Sequence, residues 1–563
     1  MYILGISCYF HDSAACLIKD GKVIAAAEEE RFTRVKHDFS FPHNAIQFCL
    51  GYGKASGKDL DFVVFPYSRD KRWIKANIAE FLGIPQEKIL FCEPHLSYAA
   101  SAFFCSPYKK AAILTCDGAG ERITTALGFA EADGYGKSKN QIHLFKEINS
   151  PHSLGLLYSA LTSFLGFEVN EGEYKVMGMS SFGEPKYVDR IYKLIDVKDD
   201  GSFKLNMEYF SYRYNTEFSF NKRFEKLFGK SRDSKARFVT SKTPLYDYVK
   251  LPSKEELRTN QYYADVAASI QKVTEDTLIK IVKCLYQKTQ LNKLCFSGGV
   301  ALNCVANYRI LKETPFDEIF IQPSAGDAGE AMGAALYVYY CLFGKKRAFI
   351  MRHAYWGKEY TDNEIETFLK KNNIKYTHVK HEGKLLDLVV KALISQKVVG
   401  WFQGRFEWGP RALGNRSILA DPREEKMRDT VNIKIKYREP FRPFAPSVLS
   451  EKAGDFFDLS ECNHQYPLRF MLYAIPVKEK ELIPAVIHID GSSRIQIVDK
   501  DTNPLFYRLI ESFYQATGVP MLLNTSFNLK GEPIVNSPED AFKTFSNSDM
   551  DMLVLENYIL NKR

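Results

Sequence analysis

No Cys-x-x-Cys pair occurs in the 563 residues, and the eleven cysteines, an odd number, are scattered singly, several in apolar runs read as strands (Cys16, Cys49, Cys116, Cys295). That spacing argues against a structural zinc site and a disulfide framework, so reduced core thiols are expected. No apolar run approaches the roughly 20 residues of a bilayer span. The opening MYILGISCYFHD lacks the basic start and small-residue cleavage site of a secretory leader. A cytoplasmic protein without a membrane partner is the expectation. Low-complexity tracts are missing as well, and so is a strong excess of one charge. Lys and Arg number 76 against 68 Asp and Glu, and a net +8 permits an anionic substrate without arguing for nucleic acid. The length exceeds what one core organises, so two or more domains are expected.

Arginine is concentrated in one stretch. Gly404 to Pro446 reads GRFEWGPRALGNRSILADPREEKMRDTVNIKIKYREPFRPFAP, which sets Arg405, Arg411, Arg416, Arg423, Arg428, Arg438 and Arg442 with Lys434 and Lys436 among Trp408, Leu413, Ile418, Leu419, Phe441, Phe444 and several prolines. A disordered basic tail lacks apolar anchors, and a solvated helix face does not carry Gly-Pro and Arg-Pro punctuation. Packed backbone with fixed guanidiniums suits a concave site for several negative charges, and arginine's planar fork matches phosphate and carboxylate. The competing reading is a set of structural ion pairs with Glu407, Asp421, Glu424, Glu425 and Glu439.

The chain begins with an apolar run, Tyr2 to Cys8, a polar break at His11-Asp12-Ser13, and two strands joined by Asp20-Gly21, which leaves Asp12 and Ser13 at a loop tip. AAILTC (111–116), Asp117-Gly118-Ala119-Gly120 and ITTALGFAEADG repeat the pattern, as two related subdomains across a cleft would, or as two ordinary hairpins would. HLSYAASAFF (95–104) and SLGLLYSALTSFLGF read as helices, and NEGEYKVMGMSSFGEP as a polar loop holding Lys175. Residues 186–255 show no clean period and read as a surface insertion. A long helix from about Asn260 to Lys288 leads to a strand that stops at Ser297-Gly298-Gly299, then to IFIQPSAGDAGEAMGAALY with Asp327 in a loop. Strand, glycine pair and helix N-terminus favour a nucleotide-binding cleft. Lys345 to Glu366 read as an interdomain connection, Arg494 falls on a strand, and another strand ends at Asn524-Thr525-Ser526-Phe527-Asn528.

GISCYFHDSAACLIKDG, EEERFTRVKHD, SLGLLYSA, NEGEYKVMG, GGVALNCVAN, GDAGEAMGAAL, GRFEWGPRALGNRSILADPR, REPFRPFAP, HIDGSSRIQ and LLNTSFNLKGEPIV resemble, in order, the blocks of the NodU/CmcH family of O-carbamoyltransferases, and the resemblance covers nearly the whole chain. It implies an α/β protein: a duplicated actin-like, sugar-kinase-like ATPase fold of the threonylcarbamoyl-transferase kind (1–350) joined to a YrdC-like domain (351–563). It implies an ATP-dependent O-carbamoyltransferase. The YrdC-like domain would make carbamoyl-adenylate from carbamoyl phosphate and ATP, and the first domain would pass the carbamoyl group to a hydroxyl of a small metabolite or sugar.

By motif, Arg411, Lys436, Arg438, Arg442, Arg494, Asn524 and Ser526 would hold carbamoyl phosphate, nucleotide and intermediate. His11 and Asp12 would act in transfer, Lys36 and Lys175 near phosphates, Gly298, Gly299 and Asn303 around the nucleoside, and Asp117 and Asp327 as metal ligands. A homodimer is implied too. The chain departs from the family where two iron-binding histidines are usual, because Pro94 and Tyr98 stand there. Proline offers no side-chain donor, and a phenol with a pKa near about 10 is a poor ligand at neutral pH. Two carboxylates alone favour magnesium or manganese over iron. Three outcomes follow: transfer with magnesium, transfer without metal, or a front domain that binds without transferring, leaving a carbamoyl-adenylate synthase or a binding partner.

Overall fold

Five strands open the chain: β1 (Tyr2–Ser7), β2 (Ala14–Lys19), β3 (Lys22–Glu28), β4 (Phe62–Pro66) and β5 (Ile89–Cys92). The first three pair antiparallel, and β4 and β5 then add in parallel beyond β1, giving the order β3-β2-β1-β4-β5. The same plan recurs. Strands β6 (Lys110–Cys116), β7 (Ile123–Glu131) and β8 (Gln141–Asn149) pair antiparallel, and after a small β9–β10 hairpin (Ile195–Val197, Phe203–Leu205), β11 (Lys293–Ser297) and β12 (Glu318–Ile321) add in parallel beyond β6. The sheets are duplicated whole, but the two Asp-Gly turns are not equivalent points: Asp20-Gly21 joins β2 to β3, whereas Asp117-Gly118 follows β6, the place that His11-Asp12-Ser13 holds after β1. These statements rest on a computed structural model, which describes residues 1–68, 71–118, 121–132, 140–212, 219–243 and 251–562. Ala119 and Gly120 of the second loop lie outside the described residues.

The remainder builds one mixed sheet from β13 (Thr377–His378), β14 (Val399–Phe402), β15 (Arg416–Ala420), β16 (Ala445–Leu449), β19 (Gln496–Val498), β20 (Met521–Ser526), β21 (Met552–Leu555) and β22 (Tyr558–Asn561), with a separate ribbon of β17 (Ala474–Pro476) and β18 (Ser492–Arg494). The chain is an α/β protein. Helix Asp327–Tyr337 crosses the first sheet at Gly5, where a Cβ would stand 1.7 Å from the carbonyl oxygen of Ala331. Only a residue without a side chain admits that approach. One apolar cluster runs from the duplicated sheets into the last sheet, and Phe406, from the arginine-rich stretch, is inserted into the other cluster, under β1 to β5.

Several expectations are corrected. Cys49 lies on helix His43–Tyr52, not a strand, although all eleven cysteines are free thiols. Ser13 is buried, not at a tip. Segment 173–180 is a helix, Glu173–Ser180, because Val176 and Met179 bury one face against the long helix Lys254–Thr289. The 186–255 region is not only surface: Phe203, Phe210, Phe224, Phe228 and Phe238 are buried within it. Asp327 opens a helix rather than lying in a loop, while β20 does end within the expected run, at Ser526. No helix among the described residues is long and apolar enough to cross a membrane.

Candidate active site

The loop between β1 and β2 is built against segment 34–39. Tyr9 donates its N–H to the carbonyl of Phe39 and Ser13 to that of Asp38, both at 2.7 Å. Four non-glycine residues here hold left-handed backbone, Tyr9 (φ 73°), Asp12 (φ 44°), Arg34 (φ 61°) and His37 (φ 55°). Each costs on the order of 1–3 kcal/mol and survives where the surroundings fix it, as at active sites. The result is a bridged trio. Nδ1 of His37 stands 2.8 Å from Asp12 Oδ1, Nδ1 of His11 stands 3.0 Å from Asp12 Oδ2, and the two imidazoles stack at 4.4 Å. Burial opposes charge on His11, but the hydrogen bond and charge of Asp12, with Asp327 and Asp117 behind, outweigh it and raise His11 to about 9. Burial likewise opposes charge on Asp12, and the two histidines nonetheless hold it below the usual carboxylate range.

His37 was not among the residues expected. Its signal was its place beside Lys36 in TRVKHD, and its partner lies 25 residues away. His11, Asp12 and His37 are also the group of close ligating atoms among the described residues, all within 4.8 Å of one another. Both Nδ1 atoms turn toward the carboxylate, a hydrogen-bonding geometry. At the mouth of this loop the chain exposes Phe10 beside Tyr67 and Trp73 beside Tyr9, with ring centroids 6.0 and 4.9 Å apart.

Asp117 follows β6, and its Oδ1 accepts the N–H of Gly299 at 2.7 Å. Gly298, at φ 92°, is where β11 comes closest to β6, since a Cβ would sit 2.2 Å from the carbonyl oxygen of Cys116. Asp327 accepts the Tyr98 hydroxyl at 2.6 Å, and burial with the charge of Asp117 raises it to about 7. His95 uses both nitrogens inside the core, Nδ1 with Thr115 Oγ1 (2.6 Å) and Nε2 with the Ile123 carbonyl (2.9 Å). Pro94 is the first residue of helix Pro94–Phe103, capped by Glu93. An iron site with two imidazoles at these positions therefore does not fit this chain. Asn303 caps helix Cys304–Glu313 and exchanges two 3.0 Å hydrogen bonds with Gln271. Lys36 pairs with Glu171 at 2.6 Å.

The arginine-rich stretch separates into two sets, one of which answers to the structural reading. Arg416 is fully buried, donates to the carbonyls of Gln403 (2.7 Å), Asn415 (3.0 Å) and Lys358 (3.2 Å), and lies 3.5 Å over Phe402. Arg405 binds the carbonyls of Gly357 and Ile24, Arg423 forks onto Asp421, and Arg428 reaches Glu425. Those four are structural. Arg416→Ala strands buried carbonyls, each worth about 1–3 kcal/mol, and is expected to remove about 3–5 kcal/mol of stability. A urea titration showing an unchanged midpoint would contradict the assignment.

Arg411, Lys436, Arg438, Arg442 and Arg494 form the second set. Lys436 Nζ donates to the Ser526 carbonyl (2.7 Å), Ser526 Oγ (3.2 Å) and Asn528 Oδ1 (2.6 Å). Burial, then the charges of Arg438, Arg442 and Lys36, hold it well below the usual lysine value. Arg494, at the end of β18, is brought down to about 9 by burial and the neighbouring Arg411. Arg438 donates to Asn432 Oδ1 at 2.7 Å, and Arg442 stands 3.9 Å from Glu439. Nε and Nη2 of Arg411 and Nε of Arg494 have no protein partner. Asn524 spends its amide on Ser447 Oγ (2.8 Å), the Ala412 carbonyl and Gln496. Lys175, on helix Glu173–Ser180, is lowered first by burial and then by Arg442 and Lys530, with Glu439 and Glu171 opposing. Several cations that depress one another at close quarters suit a polyanion.

A family model described as "Carbamoyltransferase C-terminus" matches residues 390–562, and one described as "Carbamoyltransferase N-terminus" matches residues 2–81 and 67–336. An "uncharacterized protein" of Synechocystis sp. is 44% identical over 100% of this chain and 97% of its own length. The nodulation protein NolNO of Sinorhizobium fredii is 33% identical over 99% of this chain and 79% of its own. A 3'-hydroxymethylcephem-O-carbamoyltransferase of Amycolatopsis lactamdurans is 36% identical over 44% of each chain.

Proposed function

The chain belongs to the carbamoyltransferase family and is a transferase, and from that premise we propose that it activates carbamoyl phosphate with ATP in the arginine cluster and passes the carbamoyl group to a hydroxyl at the His11–Asp12–His37 loop. Residues 351–563 would carry the first step and residues 1–350 the second. The observation that carries this reading is the gathering of Arg411, Lys436, Arg438, Arg442 and Arg494, with guanidinium N–H groups of Arg411 and Arg494 that the protein does not use.

Loss of phosphate to water turns carbamoyl phosphate into carbamate. A carbamate oxygen then bonds to the α-phosphorus of ATP as the bond to pyrophosphate breaks. Negative charge moves onto the leaving pyrophosphate, and fixed guanidiniums stabilise it without reorganising. In transfer, the acceptor oxygen bonds to the carbamoyl carbon, AMP leaves, and the hydroxyl proton passes to Nε2 of His37, which has no protein partner and whose ring Asp12 orients through Nδ1. The hydroxymethyl in the name of the cephem relative supports a hydroxyl as the acceptor group. The exposed Phe10 and Trp73 support an acceptor with an apolar face, a small metabolite or sugar, entering at that rim. The carboxylates Asp117 and Asp327 suit magnesium or manganese.

The test is to incubate the protein with carbamoyl phosphate and ATP. Pyrophosphate and AMP support the reading; ADP would point to a γ-phosphoryl transfer instead. A second reading, a carbamoyl-adenylate synthase or binding partner with a front cleft that no longer transfers, is favoured by Pro94 and Tyr98. It predicts pyrophosphate with no carbamoylated acceptor.

The state of His11 gives a pH prediction. Its folded value lies above the ordinary 6.5, at about 9, so the imidazolium persists through neutral pH and is lost as pH rises through about 9. The stability this pair adds is complete below about 6.5 and fades over the same rise. The His11 imidazole proton resonance should titrate near 9; a midpoint near 6.5 would contradict the bridged geometry.

A further inference from the structure

Helix Glu173–Ser180 belongs to the front half but lies against the arginine-rich stretch, where a Cβ on Gly178 would stand 3.5 Å from Pro443 and Tyr174 meets Arg411. Its start is pinned, with Glu173 Oε1 accepting from Ser159 Oγ (2.7 Å) and from the Asn170 N–H (3.2 Å). Beside it, Glu171 is tied to Lys36 and Met177 Sδ lies 3.8 Å from Cys304 Sγ. Around it, Phe167, Phe182 and Phe238 enclose Phe441 of the arginine-rich stretch, with centroids 6.4, 6.2 and 4.9 Å away. A helix so fixed gives its side chains fixed directions.

Tyr174 of this helix lies with its ring 4.5 Å from the guanidinium carbon of Arg411. That guanidinium thus lies over a ring of the front half, while its Nε and Nη2 keep no protein partner. Stacking and edge bonding are separate uses of one guanidinium, and the first orients the second. Asp12 and Arg494 both lie within electrostatic reach of the Tyr174 phenol, so the residue stands where the two sites meet.

We propose that Tyr174 is the partition between the two half-reactions and the positioning residue for Arg411: its ring holds carbamoyl-adenylate on the arginine side and keeps water from the anhydride until an acceptor is seated. The inference deepens the proposed function and rests on it. Without the ring, water attacks the carbamoyl carbon, the bond to AMP breaks, and carbamate and AMP are released with nothing transferred.

The test needs no acceptor. With carbamoyl phosphate, ATP and labelled pyrophosphate, two rates are read on the full chain: exchange of label into ATP, which reports adenylate formed and returned, and release of AMP, which reports adenylate lost to water. Tyr174→Ala is expected to raise AMP release per exchange event at least about tenfold, as loss of water exclusion should, and Tyr174→Phe to leave it within about twofold. If the alanine variant does not fold, Tyr174→Leu carries the same expectation, since its branched chain is smaller than the ring, leaves part of the partition open and loses the contact with Arg411. An unchanged ratio in the alanine or leucine variant with exchange intact overturns the partition, and so does a phenylalanine variant that leaks like alanine. If the unmodified protein shows no carbamoyl-phosphate-dependent exchange, the proposed function itself fails, a result distinct from either.

Discussion

Arg494→Ala is expected to lower carbamoyl-phosphate-dependent pyrophosphate release by about 10²- to 10³-fold, the loss that follows when one preorganised donor is taken from developing charge. The residue ends the short strand β18, whose partner β17 holds it in register at Ala474. Its guanidinium is pushed down to about 9 by burial and Arg411, so the protein works against that charge rather than for it. A side chain kept cationic against its own surroundings is stabilised by a polyanion more than by the empty fold. Removing it should therefore cost rate and little stability. The contrast with Arg416 is the control: that arginine satisfies three carbonyls, and its removal should cost stability first. Pyrophosphate release within about threefold of the unmodified protein, with the fold intact, would remove Arg494 from the activation step.

Asp12→Asn separates the two chemistries in the other direction. With hydroxylamine as a surrogate acceptor, giving hydroxyurea and AMP, transfer is expected to fall by about 10²–10⁴-fold, the usual scale for acid–base and orienting groups. Pyrophosphate release is expected to stay within about threefold, because the contacts of the carboxylate are with His11 and His37 and not with the arginines. The size of the effect follows from the geometry. One carboxylate bridges His11 at 3.0 Å and His37 at 2.8 Å, and an amide can accept from only one of them while presenting N–H to the other. Equal losses in both steps would place Asp12 in activation or in folding, and equal retention would move transfer away from this loop.

The parts of this account that were legible in the sequence are those fixed by local chemistry. Asp20-Gly21 and Asp117-Gly118 announce two hairpins, and the sheets around them share one order. Ser297-Gly298-Gly299 announces a strand end, and the φ of Gly298 shows why glycine is there. The arginine-rich stretch was visible as a concentration of charge, but not which of its arginines the fold itself uses. Arg405 and Arg416 find their partners in the carbonyls of Ile24, Gly357 and Lys358, main-chain groups that no residue pattern discloses. Helix Glu173–Ser180 was hidden by its glycines and polar flanks, since what makes it a helix is the Lys254–Thr289 helix beneath it. His37 was hidden for the same kind of reason, its partner being brought in by left-handed backbone at four non-glycine residues. The replacement of two expected imidazoles was legible; that Tyr98 would donate to Asp327 was not.

On the proposed function, the arginine cluster joins carbamoyl and AMP as a mixed anhydride. The direct measurement is a rapid acid-free quench of the protein with carbon-labelled carbamoyl phosphate and α-labelled ATP, followed by mass analysis of what remains bound. The account predicts one species carrying both labels, at no more than one per chain, formed with pyrophosphate. Bound carbamoyl label without AMP, or AMP without carbamoyl label, would contradict it.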